Sequence, residues 1–437
     1  MADNGVAATQ SGKLVRAVGF WGLVLMCINA VVGSGVFLLP SESYALLGPF
    51  SLWAPLLFAV PVFLLVLCFA EASSHFSEPG GAYLYARTAF GDFVGFETGW
   101  MNWIARLTSL AALSNGFVVS LALFWPSLKE PAPRAAIIAG SLLILGAIHF
   151  VGVRYGAASI YVFTWGKLIP LVGFIIVALL AWRNNPIPAS LTLPGAGTKW
   201  NDAALFMLFA YAGFENMGVP AGEFRNPRKD LPMALLAGTF AIALMYVLVQ
   251  LGAMSAVPDL SATKTPIATA AAALIGPAGA VIITIGALLS MAGTNSGTVL
   301  EGSRMLYALS LGRPRMRFLS YVHPRFRTPS FALVIHVGVA IIVAIAGSFA
   351  KLALLSAAAR LATYLFTCAG VPRLRKLNEG FRTPGLIIPI LGTLVAAFFV
   401  ITLDGPKLIG ATICLVLGAI VWFVAGPNDE KIVAEAD

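Results

Sequence analysis

Two stretches of this sequence place groups where an apolar helix has no use for them. The first is Asn29-Ala30-Val31-Val32-Gly33-Ser34-Gly35-Val36-Phe37; the second is Ala210-Tyr211-Ala212-Gly213-Phe214-Glu215-Asn216-Met217-Gly218. Each sets glycine and polar residues in the middle of an apolar run. In a bilayer the backbone groups freed by such a break must be satisfied by protein, water or a ligand. Close packing through small residues accounts for Gly33 and Gly35. It accounts poorly for Glu215, because an acid at the bilayer centre costs about 2.5–3.5 kcal/mol on insertion scales. Arg106, Lys167 and Arg360 also fall inside apolar runs. An arginine keeps its charge at any usable pH, so Arg106 needs an anion, either Glu215 or an acidic substrate side chain. Arg360 can share the same acid. Lys167 needs a partner, a cavity or a neutral form.

The elements that must position these groups follow from composition. The chain has 437 residues, 59% hydrophobic and 11% charged, with a mean hydropathy of +0.88. Ordinary soluble domains carry roughly 25% charged residues. That excludes a soluble enzyme, a disordered chain and a disulfide scaffold, and leaves an all-α polytopic membrane protein. Apolar runs at 18–40, 47–71, 93–124, 134–153, 157–182, 201–222, 232–257, 275–308, 331–348, 351–371, 385–403 and 405–425 predict twelve transmembrane helices. Residues 1–17 and 426–437 read as polar tails, the first without the pattern of a secretory leader.

The net charge of +9 is distributed by side. With the N-terminus inside, eighteen Lys and Arg fall on inner segments and seven on outer ones. The positive-inside rule then places both termini in the cytoplasm, and the charge calls for no nucleic-acid partner. Cys27, Cys68, Cys368 and Cys414 all lie in apolar runs and read as buried thiols. No catalytic pair, metal-ligand spacing or cofactor motif stands out. His75 and His323 read as solvated loop residues, His149 and His336 as hydrogen-bonded structural residues or proton relays.

The two interrupted runs lie five spans apart, so they would insert with opposite orientation. Matching breaks in inverted halves point to the central site of a secondary transporter. Unwinding at Gly33-Ser34-Gly35 exposes amides at the start of a half-helix, which suits a carboxylate, and Ser34 adds a hydroxyl. Carbonyls from Ala210 to Gly213 suit an ammonium. A small zwitterion fits both ends.

Four motifs then carry a resemblance. They are Gly33-Ser34-Gly35-Val36-Phe37, Glu78-Pro79-Gly80-Gly81-Ala82-Tyr83-Leu84-Tyr85, Phe209-Ala210-Tyr211-Ala212-Gly213-Phe214, and Glu223-Phe224-Arg225-Asn226-Pro227-Arg228-Lys229-Asp230-Leu231-Pro232. In order and spacing the chain resembles the amino acid–polyamine–organocation (APC) family of transporters. The resemblance implies a LeuT-type fold with a 5+5 inverted repeat, 18–182 and 201–371, discontinuous helices 1 and 6, and two further helices in 385–425. It implies a multi-pass protein of the plasma membrane that moves amino acids or related amines by alternating access. Its site would draw on Asn29, Val32, Gly33, Ser34, Gly35, Phe209, Ala210, Tyr211, Gly213 and Arg106, with Phe209 as an aromatic lid or, alternatively, a core aromatic. It places Lys167 where sodium sits in sodium-dependent relatives, either as a titrating coupling group or as a fixed ammonium. Glu215 and Arg360 would form an ion pair or a proton relay. Arg87 would serve a cytoplasmic network or inner gate, and Glu42 an outer gate. Two transport modes stay open, sodium-independent proton symport and exchange without net proton movement. A non-transporting receptor is the reading from another class, and the oligomeric partner is not read from sequence.

Overall fold

The computed structural model describes residues 18–76, 80–151, 156–182, 193–195, 197–219, 224–377 and 380–426, with 156–162 and 182 described by backbone alone. Both expected tails, Glu78-Pro79 and Glu223 of the motifs, and Arg154 lie outside the described residues, apart from Gly426.

Apolar composition makes helix the default, because a helix satisfies its own backbone. Fifteen α-helices follow in order among the described residues: α1 (Phe20–Val31), α2 (Gly35–Leu47), α3 (Ala54–Ser74), α4 (Gly81–Phe90), α5 (Asp92–Leu121), α6 (Pro131–Val151), α7 (Gly156–Trp182), α8 (Trp200–Tyr211), α9 (Pro227–Ala256), α10 (Pro266–Ile275), α11 (Pro277–Ser310), α12 (Ser330–Ala346), α13 (Phe349–Leu374), α14 (Ile387–Ile401) and α15 (Gly405–Ala425). Pro227, Pro266 and Pro277 open their helices, where the missing N–H is no loss and φ is already helical. Among the described residues there is no strand, only an isolated bridge between Val18 and Phe224.

Eight helices are long and apolar enough to cross a bilayer, and α1 with α2 forms a ninth candidate bent by 47°. Helices α10, α12 and α14 are apolar but shorter. The first expected span, 18–40, is two helices and runs on to Leu47, so the second starts at Ala54 rather than 47. The run at 201–222 is helical only to Tyr211 before it breaks. Two helices were not anticipated. Helix α4 carries Arg87, which was expected in a loop, and α10 follows the expected seventh span.

The interior is built around α5 and α13, which pack along each other, with α11 also packed on α5. In the central stretch of α5, 78% of residues are buried, against 11% in α15. Helix α15 instead turns Ile413, Leu417, Ile420 and Phe423 outward. Such a surface is unfavourable in water and neutral in lipid. The breaks therefore lie beside the buried helices, away from the lipid-facing ones. Near the end of α3, Glu71 is fully buried and takes hydrogen bonds from Arg375 Nη2 (3.0 Å) and Thr383 N (3.0 Å). The hydrogen bond to Glu71 raises the Arg375 guanidinium above its ordinary range. His75, expected in solvent, is buried at the end of the same helix.

Candidate functional site

The first break follows from sequence at three residues. Helix α1 ends at Val31, Val32 leaves helical geometry (φ −76°, ψ 86°), and α2 begins at Gly35. The last carbonyls of α1 then lose their intrahelical partners. Lys167 Nζ on α7 donates to Val32 O (2.7 Å) and Asn29 O (3.1 Å), and lies 3.4 Å from Thr294 Oγ1. Ser290 Oγ on α11 donates to Val32 O (3.0 Å) and Gly33 O (3.1 Å). An ammonium here faces the negative end of the α1 dipole, the favourable sign. On the other side of the break, Phe37 N and Leu38 N are the first amides to bond back, both to Ser34 O. The amides of Ser34, Gly35 and Val36 precede them, at the positive end of α2.

The second break is built differently. Helix α8 ends at Tyr211, Ala212 is extended, and Gly213 takes φ +134° before a single 3-10 turn at Phe214–Asn216. That φ suits only glycine. Space requires glycine as well, since a Cβ on Gly213 would lie 2.5 Å from Ala30 O. The two breaks thus touch main chain to main chain. At Gly35 a Cβ would lie 3.0 Å from Ala210 Cα, so the opposite halves also meet closely. Ala210 O accepts from Tyr246 on α9 (2.6 Å), and Tyr211 donates to Pro55 O (2.8 Å).

Glu215 turns back into its own break. Its Oε2 accepts from Gly213 N (2.8 Å), while Oε1 lies 2.7 Å from Arg360 Nε and 3.1 Å from Arg106 Nη2. The other nitrogen of Arg106, Nη1, lies 3.0 Å from Glu301 Oε2 on α11. Arg360 also donates to Ser356, whose hydroxyl donates to Ala105 O (2.8 Å). Asn102 on α5 reaches Asn216 at 3.2 Å. Arg106, Arg360 and Glu215 are each at most 5% exposed, so their charges interact through a poor dielectric.

One cavity lies at the crossing, lined by Gly33, Ser34, Gly35, Phe209, Arg106 and Arg360 from the expected set, and by Ala30, Val31, Ser109, Leu113, Ala212, Thr294 and Thr298 besides. Its free space measures about 20 Å³ to water centres, where one water requires about 10–15 Å³. Phe209 is buried and meets Phe349 edge to face at 6.1 Å. Ser34 Oγ and Arg106 Nε are buried with no partner among the described residues. Asn29, Val32, Tyr211 and Gly213 were expected among the substrate-binding residues. They shape the breaks from behind and do not line this cavity, while Ala210 lines a neighbouring apolar one with Gly35. Glu42 stands off the site, 3.7 Å from Lys264 at the exposed rim.

Sequence reasoning missed Ser290, Thr294, Thr298 and Glu301. Their spacing of four, four and three marks one face of a helix, a polar stripe along an otherwise apolar span. Asn102, Arg106 and Ser109 make the same kind of stripe on α5. Cys27, Cys68 and Cys368 are buried thiols and Cys414 is half-buried. His149 bonds Ser296 Oγ (2.9 Å), and His336 accepts from Trp103 Nε1 (3.1 Å).

Comparison with known proteins bears on this geometry. The model of the family described as "Amino acid permease" matches residues 18–428. The serine/threonine exchanger SteT of Bacillus subtilis is 28% identical over 90% of this chain and 92% of its own. The b(0,+)-type amino acid transporter 1 of Mus musculus is 26% identical over 90% and 83%. The branched-chain amino acid permease BcaP of Bacillus subtilis is 24% identical over 98% and 97%.

Proposed function

Because the chain belongs to the amino acid permease family, we propose that it carries amino acids by alternating access about the crossing of its two broken helices. Amino acid transport by a multi-pass membrane protein, and no enzymatic reaction, is what the family and these relatives support. The finer reading is ours. Twelve spans arise when α1–α2 and the broken segment from α8 to Gly218 each cross once, and α4 and α10 stay at the surfaces. Residues 18–182 and 201–371 are then inverted repeats of a LeuT-type fold, with 385–425 as two added helices. Both ends face the cytoplasm, and the membrane is the plasma membrane.

The observation that carries this reading is the contact of the two breaks around one polar cavity. A substrate carboxylate meets the amides of Ser34, Gly35 and Val36 and the Ser34 hydroxyl. Its ammonium turns to carbonyls at the end of α1 and around Ala212, since Ala210 O is already engaged by Tyr246. Phe209 closes over it. Lys167 supplies a cation to the carbonyls of Asn29 and Val32, so transport needs no sodium. Whether proton release from Lys167 accompanies each cycle separates symport from exchange. The relative named an exchanger favours exchange as the second reading.

Uptake of labelled amino acids into proteoliposomes tests both. Equal uptake in sodium and potassium buffers, rising with an inward proton gradient, is the expected result. Counterflow indifferent to the gradient selects exchange, and sodium dependence overturns the role of Lys167. Binding of amino acids without any flux ends the carrier reading.

A further inference from the structure

The cavity also bears on which amino acid is taken, an inference that rests on the carrier reading above. Charge is the first observation. Arg106 and Arg360 are matched by Glu215 and Glu301, with contacts of 2.7, 3.0 and 3.1 Å. Among the groups in direct contact, two cations and two anions cancel. Lys167 is turned to the main chain of α1 and is not part of the cavity wall. A substrate side chain with its own charge would leave one charge without a partner in a buried site, which is strongly unfavourable.

Unsatisfied donors are the second observation. Arg106 lines the cavity, is 5% exposed, and its Nε–H has no acceptor among the described residues. Both of its Nη groups are already committed to carboxylates. Ser109, one turn along α5, lines the same wall. A buried N–H without a partner is penalised, and an arriving oxygen removes the penalty. Size is the third. Leu113 and Phe209 crowd the cavity, and the glycines already hold the backbones in contact.

We infer that the carrier selects amino acids with a short, uncharged side chain bearing an acceptor oxygen, a hydroxyl or an amide, and that Arg106 Nε reads that oxygen. Arg106 is then a specificity residue for neutral polar substrates, through the one nitrogen the two acids leave unused. An apolar isostere of the same size leaves this donor bare.

Threonine and valine differ in this one feature, so their competition against labelled counterflow in wild-type proteoliposomes is the direct test. Threonine should compete about 10- to 100-fold better than valine, the range of one hydrogen bond to a charged donor. Aspartate and lysine should compete poorly. Equal competition by valine, or preference for either charged amino acid, overturns the substrate class. Flux of no amino acid at all would instead remove the carrier reading beneath it. Arg106→Lys keeps a cation for Glu215 and Glu301 but removes the Nε donor, so threonine should lose its advantage over valine. An advantage that persists in the variant overturns the role of Arg106. Glu301→Gln, at the partly exposed edge of the cluster, tests the charge balance even if the lysine variant does not fold. It leaves one positive charge in excess, and aspartate should gain about tenfold or more relative to threonine. An unchanged ranking counts against a balanced cluster.

Discussion

The two breaks face one physical problem and meet it with opposite charges. At the first, carbonyls are freed at the end of α1, and a single ammonium, Lys167, is brought to them from α7. At the second, an amide is freed at Gly213, and the chain supplies its own carboxylate, Glu215, from two residues on. That carboxylate is buried, so two arginines from α5 and α13 must balance it. The difference lies in what can be withdrawn. Lysine can give up its proton inside a protein, whereas arginine does not. If Lys167 releases its proton during the cycle, as proposed above, the first break loses its support, whereas the two arginines behind the second keep their charge. Anchored by helices that pack tightly on each other, the second break suits a reference point, and the first suits the part that responds.

If that contrast is right, the largest loss of stability follows Glu215→Gln. It leaves two buried guanidinium groups without their shared acid and should lower stability by about 3–5 kcal/mol, as breaking a buried ion pair does. Thermal unfolding in detergent, followed by size-exclusion fluorescence, reads this. A variant that melts with the wild type would show that the arginines find other partners. Lys167→Met should do less to the fold and more to function. It leaves Asn29 O without this donor, for about 1–3 kcal/mol, while Ser290 still serves Val32 O. Uptake should fall to background although the protein remains folded. Retained transport would mean that the ammonium is not needed at the first break.

Glycine substitutions sharpen the comparison further. Gly213→Ala places a Cβ 2.5 Å from a main-chain oxygen at φ +134°, and strain of this kind costs about 1–3 kcal/mol before any clash is counted. At Gly33 the first atom met is a Leu113 methyl at 3.2 Å, which can rotate away. Gly33→Ala should therefore melt near the wild type and Gly213→Ala well below it. The reverse order would mean that the first break is the rigid one.

How much of this could be read from the sequence depended on whether each signal was local. The breaks were legible because Gly33-Ser34-Gly35 and Gly213-Phe214-Glu215-Asn216 interrupt apolar runs in plain view. Arg106, Lys167, Glu215 and Arg360 stood out because charge inside a span has few explanations. Glu301 was not noticed although the expected run 275–308 contains it, because it sits three residues from Arg304 near the end of that run, where a local pair of charges explains itself. Its place became clear only when Arg106 of α5 was found beside it. The stripe Ser290, Thr294, Thr298 was present in the spacing, but hydroxyls alone are tolerated in spans and drew no notice. Helix α4 was hidden by composition, since Gly81–Phe90 is not apolar enough to cross and too short to be read by periodicity. That Tyr246 would take Ala210 O could not be inferred, because the two lie 36 residues apart and meet only in the fold.

The smallest effect belongs to a cluster of the same chemistry with less burial. At the exposed start of α15, Lys407 Nζ lies 2.6 Å from both Asp202 and Asp404, and Asp404 caps the helix through Lys407 N (3.2 Å). Hydrogen bonding from Lys407 holds the Asp404 carboxyl below its ordinary range. A depressed carboxyl contributes stability above its unfolded pKa, and the contribution is lost only as pH falls through the lower folded value. Between pH 5 and 8, roughly above the ordinary carboxylate range, this cluster should impose no pH dependence. The side chain of Asp404 is 55% exposed, so Asp404→Asn should cost no more than about 1 kcal/mol, and less in high salt. Thermal midpoints of the variant and wild type across that pH range, in low and high salt, check this. A loss comparable to that of Glu215→Gln would mean that charge pairing, and not burial, sets the strength of the second break.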